Sequence, residues 1–144
     1  MLEVQDLHHV SLIVRDVAAS QRFFCEVLGM EPASPPANFK FTVAWVRKGG
    51  AELHLVQADD AVQAPGDNPV QPRPGRDATF ARHLCLKINS VEALLETLRA
   101  HNVPIVAGPR ARGDGPTQTY IHDLDGHLIE LVCLNPAQGQ APET

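Results

Sequence analysis

Four side chains of metal-ligand type, His9, His54, His83 and Glu130, sit at matching places in a sequence that is written twice. His9-Val-Ser-Leu-Ile-Val-Arg-Asp-Val17 returns as His83-Leu-Cys-Leu-Lys-Ile-Asn-Ser-Val91. Each copy closes on a Leu/Ile-X-Leu segment, Leu53-His54-Leu55 in the first and Ile129-Glu130-Leu131 in the second. The spacing is 45 residues from His9 to His54 and 47 from His83 to Glu130. Neutral imidazole and ionised carboxylate are good donors to Zn, Ni, Co, Mn and Fe(II), and three His with one carboxylate disfavour Ca. Any one strand histidine is ordinarily a surface or hydrogen-bonded residue. The correlated placement of four is what points to a metal.

The elements that must position them follow from periodicity. Leu7–Val14 alternates as a strand, with Val10, Leu12 and Val14 on one face and His9, Ser11 and Ile13 on the other. Asp16 is placed to cap a helix over Val17–Leu28, which Gly29 closes. Phe39–Arg47 and Ala51–Gln57 read as strands joined at Lys48-Gly49-Gly50. Ala58–Phe80 is rich in Pro and Gly and reads as an irregular connection, of the kind that often covers a binding site. In the second copy Arg82–Ile88 is a strand, and Asn89 or Ser90 caps a helix over Val91–Ala100, with Asn89-x-x-Glu92 in the form of a capping box. Pro104–Ala107 is short and extended, Gly108–Pro116 a loop, and Thr117–His122 with His127–Leu134 a hairpin around Asp123-Leu-Asp-Gly126. The tail from Asn135 is polar and rich in Pro.

The fold class is therefore α+β, with two βαβββ modules pairing into a curved mixed sheet around a metal site. Module 1 spans about 5–58 and module 2 about 81–135, inside a single domain covering 1–144. With a period of two, the apolar neighbours of each candidate ligand turn toward the helices, and His9, His54, His83 and Glu130 turn to the opposite side. His8 falls on the other face from His9, as a structural or partly exposed residue. His101 suits a helix C-terminus, His127 follows a turn, and His122 shares the face of Tyr120.

Composition narrows the class of function. At 144 residues, 44% hydrophobic and 20% charged, the chain has the make-up of a soluble globular domain. A net charge of −5 argues against nucleic acid, whose phosphates require clustered Lys and Arg. No apolar run approaches a membrane span, and Met-Leu-Glu-Val-Gln-Asp lacks the regions of a signal peptide. Cys25, Cys85 and Cys133, odd in number and far apart, suit reduced thiols in the cytoplasm.

Leu7-His-His-Val10, Asp16-Val-Ala-Ala-Ser-Gln-Arg-Phe-Phe24, Val27-Leu-Gly-Met30, Arg82-His-Leu84 and Asp123-Leu-Asp-Gly-His-Leu-Ile-Glu-Leu131 together resemble the vicinal oxygen chelate superfamily. That superfamily includes glyoxalase-type lyases, extradiol dioxygenases, methylmalonyl-CoA epimerases, fosfomycin-resistance thiol transferases and bleomycin-resistance binders. The resemblance covers about residues 5–135, and it is specific for the superfamily and not for a reaction. It implies His9, His83 and Glu130 as ligands of a divalent metal, with His54 at a fourth position commonly occupied by Glu in glyoxalase-type lyases. It further implies a small-molecule substrate that chelates the metal through neighbouring oxygens, and a homodimer.

The chemistry so implied is that of a lyase or isomerase, in which the metal stabilises enolate charge and a base works beside the α-carbon. Glu130 is one candidate base. Glu52, two residues before His54 and on its strand face, is a second, although a solvated carboxylate after Gly49-Gly50 explains it equally well. An extradiol-type Fe(II) dioxygenase using His9, His83 and Glu130 is the alternative, with His54 outside the ligand shell. A thiol transferase is the third reading: Tyr120 matches a substrate-contacting tyrosine of fosfomycin-resistance enzymes, and Arg110 and Arg112 could meet an anion. A metal-free ligand binder is the non-enzymatic reading. Cys85 shares the face of His83 and is read as packing.

Overall fold

A computed structural model describes residues 1–59 and 81–134. The loop expected over Ala58–Phe80 and the tail from Asn135 lie almost wholly outside those residues. The chain divides into two compact units, Met1–Asp67 and Asn68–Thr144.

The first unit runs β1 (Val10–Val14), α1 (Val17–Glu26), β2 (Glu31–Ala33), β3 (Val43–Lys48) and β4 (Ala51–Gln57). Its four strands form one mixed sheet in the order β1-β4-β3-β2, with β1 and β4 parallel. Alternation decides which face is covered. Leu12, Val14, Ala44, Val46, Leu53 and Leu55 are buried, as are Phe23 and Phe24 of α1, the helix that packs on β3 and β4. The other face carries Ser11, Trp45, His54 and Glu52, because Ser11 and Trp45 are both register partners of His54 and Arg47 is the partner of Glu52.

The helix begins where Asp16 Oδ1 accepts the amide of Ala19 at 2.9 Å, and Gly29 closes it at φ +67. A glycine adopts that left-handed conformation without the local backbone strain that a β-carbon brings. Gln57, the last residue of β4, fastens the helix to the sheet. Its Oε1 accepts the amide of Val17 at 3.1 Å, and its Nε2 donates to the carbonyl of Arg15.

The second unit repeats the plan with β5 (His83–Ile88), α2 (Val91–Ala100), β6 (Ile105–Ala111), β7 (Thr117–His122) and β8 (Leu128–Cys133). Its sheet has the order β5-β8-β7-β6, again with the first strand parallel to the last. Thr119, Tyr120, Ile121, Ile129 and Leu131 are its most enclosed strand residues, and Leu94 and Leu98 the buried side of α2.

Several boundaries differ from expectation. β1 starts at Val10, so His9 immediately precedes the strand. Phe39–Thr42 lies outside β3, whose pairing with β4 starts at Val43↔Val56. Ser90, not Asn89, caps α2: its Oγ accepts the amide of Ala93 at 3.1 Å and donates to Glu92 Oε2 at 3.1 Å. That leaves no Asn89 capping box. Gly108 and Pro109, expected in a loop, lie within β6, which pairs with β7 through two register shifts. Such bulges let a strand hold residues that regular pairing would exclude.

The turn between β7 and β8 carries a titration of its own. Asp123 is 7% exposed, and its Oδ1 accepts the amides of Asp125 at 2.9 Å and His127 at 2.8 Å. Its Oδ2 is buried without a hydrogen-bond partner. Burial raises its pKa above the ordinary carboxylate value, with His127 and the two amides opposing. A raised folded-state pKa stabilises the fold below the unfolded carboxylate value, and that increment is lost as pH rises through the folded one. Asp123→Asn keeps the Oδ1 acceptor and cannot ionise. Denaturant unfolding at stepped pH should show the wild type losing an increment above ~pH 4 that the variant keeps; parallel curves would refute the assignment.

Candidate functional site

In the second unit β5 and β8 lie side by side, and Cys85 is the register partner of Glu130. His83 Nε2 stands 3.0 Å from Glu130 Oε2. The other ring nitrogen, Nδ1, is 2.9 Å from the carbonyl of Ala81. A carbonyl only accepts, so Nδ1 carries the hydrogen, and a neutral ring then has a bare lone pair at Nε2. Two acceptors at 3.0 Å would repel. The contact is favourable only with positive charge between them or on the ring, a proton or a metal cation.

Glu130 is held from its other side as well. Gln118 Nε2 donates to Glu130 Oε1 at 2.8 Å and to Tyr120 Oη at 3.2 Å. The carboxylate is 5% exposed, and burial alone would raise its pKa. The hydrogen bonds from Gln118 and His83 outweigh that and leave it below the ordinary value. Tyr120 is 2% exposed, with its ring edge-on to His83 at 5.6 Å. Its pKa is raised by burial and by Glu130.

Gln118 is the residue that sequence reasoning missed. Its signal was available: it lies two residues before Tyr120, the register partner of Glu130, and so on the same strand face. Gln118→Leu removes the donor at nearly constant volume and leaves a buried carboxylate oxygen without a partner. Outer partners of metal ligands are typically worth about 10–100-fold in affinity. We expect a loss of that size in divalent-metal affinity by competition titration, and an unchanged affinity would show that Gln118 only packs.

Arg112 binds Asp114 at 2.6 Å through Nε, and Arg110 lies 5.6 Å over the Tyr120 ring, so neither points outward as an uncommitted anion ligand. Cys85 is exposed, and burial of its sulfur together with the Glu130 charge pushes its thiol up to about 11. That is far from a thiolate at neutral pH, in keeping with a non-nucleophilic role.

In the first unit His9 and His54 stack, with ring centroids 3.9 Å apart and planes 19° from parallel. Trp45 stacks on His54, also at 3.9 Å, with planes 4° apart. His54 Nε2 is 2.8 Å from Glu52 Oε1, and Arg47 reaches Glu52 Oε2 at 3.5 Å. Those partners lower the Glu52 pKa, the His54 hydrogen bond most. His8 does not turn away from His9 as alternation implied. Because both precede β1, no pleat separates them, and their Nδ1 atoms lie 2.7 Å apart.

Within neither unit do three or more His, Cys, Asp or Glu groups gather as a metal-holding set among the described residues. Each unit instead brings its two sequence-predicted donors together as a pair, His9 with His54 and His83 with Glu130. The second pair fits a metal: neighbouring donors at right angles with bonds of ~2.1 Å stand ~3.0 Å apart.

A model of the glyoxalase/bleomycin resistance protein/dioxygenase superfamily matches residues 6–131. The chain belongs to that superfamily. This glyoxalase-superfamily chain is 29% identical over 130 residues to Glyoxylase I 4 of Arabidopsis thaliana, covering 90% of this chain and 71% of that protein. In structure it is similar to a putative glyoxalase family protein from Bacillus anthracis (TM-score 0.72, 19% identity, 94% and 99% of the two chains). It is also similar to a mutant of the fosfomycin resistance protein FosX from Listeria monocytogenes complexed with Mn(II) and 1S,2S-dihydroxypropylphosphonic acid (TM-score 0.68, 21% identity, 94% and 97%). The neighbours share the architecture of two βαβββ modules. Among the described residues no helix is long and apolar enough to cross a membrane.

Proposed function

We propose that this chain is a divalent-metal-dependent lyase or isomerase of glyoxalase type, working as a homodimer on a small substrate that presents two neighbouring oxygens. His9 and His54 in the first unit and His83 and Glu130 in the second would be the metal donors, a set whose chemistry suits Zn, Ni, Mn, Co or Fe(II). The observation that carries the reading is the His83–Glu130 contact, an imidazole nitrogen and a carboxylate oxygen at 3.0 Å, with the carboxylate fixed by Gln118. The FosX relative, bound to Mn(II) and a vicinal diol phosphonate, supports it at the level of fold.

When bound, the metal supplies Lewis acidity that favours the enolate-like charge of proton transfer beside a carbonyl. The chain's own groups divide the rest. Gln118 and the Ala81 carbonyl fix the directions of Glu130 and His83, so the donors need no reorganisation. Glu52, lowered in pKa by His54 and with 20% of its side chain exposed, is ionised at neutral pH and reachable. It is placed to accept a proton, and the His54 ring at 2.8 Å fixes its direction. Tyr120 shapes the wall beside His83, and its Oη accepts from Gln118 Nε2 at 3.2 Å, which leaves its own O–H free to donate.

Elemental analysis of the purified protein, with oxygen uptake followed after loading with Fe(II), tests the proposal. We expect about one divalent ion per chain and no oxygen consumption with catechols. Oxygen uptake would favour the dioxygenase, and failure to take up Zn, Ni, Mn or Fe(II) would leave the binder.

A further inference from the structure

The chain has only five Phe, one Trp and one Tyr, yet Phe39, Phe41 and Trp45 fall within seven residues. Phe39 and Phe41 are 39% and 57% exposed and stack on each other at 4.9 Å, 26° from parallel. Phe39 then meets Trp45 edge-on at 6.0 Å, and Trp45 lies flat on His54. With His9 the series is five rings long, on the sheet face away from α1. A single exposed phenylalanine needs no explanation, whereas a contiguous exposed ring pair joined to a candidate site does. The indole Nε1 of Trp45 is buried with no hydrogen-bond partner, an unanswered donor in the middle of the ring set.

We propose that Phe39, Phe41 and Trp45 form a stacking wall that takes the planar ring of an aromatic substrate beside His54. Flat π-faces favour a planar ring over a puckered one of similar size, because aromatic pairs gain from ring geometry beyond the area they cover. The location beside His54 rests on the metal-site reading given above; the ring preference does not. The substrate class is then an aromatic compound bearing neighbouring oxygens, held by its ring at Phe39 and Phe41 and presenting the oxygens toward His54 and Glu52.

Calorimetric titration of the full chain, freed of metal by a chelator, with 2-naphthoate and with its saturated counterpart decahydro-2-naphthoate tests the wall. We expect at least tenfold tighter binding of the naphthoate. In the double variant Phe39→Ala/Phe41→Ala the two acids should bind within twofold of each other, with far-UV circular dichroism and elution volume unchanged. Equal binding of the two acids by the wild type, or a preference that survives the double substitution, overturns the proposal. A change in elution volume in the variant does so too, because the rings would then be a contact between copies of the chain. Metal uptake, measured on a separate portion of the protein after the chelator is dialysed away and divalent ions are offered, keeps the two readings apart. Ring preference without metal uptake removes the metal site and leaves the wall, and uptake without ring preference does the reverse.

Discussion

Glu130→Gln should lower divalent-metal affinity by more than ~100-fold, since loss of an outer partner alone is typically worth 10–100-fold. It should leave the melting temperature unchanged or higher. The glutamine retains an oxygen for Gln118 Nε2, at 2.8 Å in the native chain, and offers an amide hydrogen where Glu130 Oε2 now faces His83. A neutral His83 ring then meets a donor across that 3.0 Å contact, with no proton or cation needed between the two groups. Stability and metal binding therefore move in opposite directions, which general damage to the fold would not produce. His83→Ala should lose metal to a similar degree, and the double variant should lose little more, as expected for residues acting on one ion. Competition against a chromophoric chelator, beside thermal unfolding of the metal-free variants, reads both quantities. Affinity within threefold of the wild type for either single variant would sink the assignment of the pair.

The second large effect lies in the backbone behind that pair. Gly108→Ala should cost roughly 2–4 kcal/mol, from a left-handed backbone conformation and a displaced neighbour together. Gly108 has φ +84, and an added β-carbon would fall on the carbonyl oxygen of Gln118, with Arg110 N at 3.2 Å and Thr119 Cα at 3.3 Å. All three are backbone atoms, so no rotamer change relieves the overlap. For a chain of this size we expect Tm to fall by roughly 5–15 °C. Because the obstructed carbonyl belongs to Gln118, the residue that fixes Glu130, metal affinity should fall as well. Gly113→Ala, where a β-carbon meets nothing within 4 Å, serves as the control and should stay within about 0.5 kcal/mol of wild type.

Much of this was legible because strand alternation and register are local properties. β4 and α2 have the limits that periodicity assigns, and the hairpin of β7 and β8 differs by one residue at each end of its second strand. The pairing of donors within each copy follows from which residues share a face, and repetition of the pattern exposed it. What escaped depends on partners rather than pattern. Phe39 and Phe41 read as strand because they are β-formers, but β4 runs out of residues to pair with them: the last rung is Val43↔Val56, followed by one bond from the Gln57 amide to Thr42 O. Gly108-Pro109 reads as a break, yet the bulged pairing of β6 absorbs it. Of the two caps the sequence offered, Asn89 and Ser90, the second is used, and the Asn89 capping box does not form because Glu92 bonds the Ser90 hydroxyl. Gln118 carried no label of its own, since a strand glutamine looks like any polar residue until its neighbours are known.

Trp45 lies face to face with His54, and it is the only tryptophan in the chain. Its emission therefore arises from one point, in van der Waals contact with a ring proposed to bind metal. A paramagnetic ion on that imidazole would quench the indole directly. The first unit thus contains its own optical gauge, and a fluorescence titration can tell whether an added ion reaches His54.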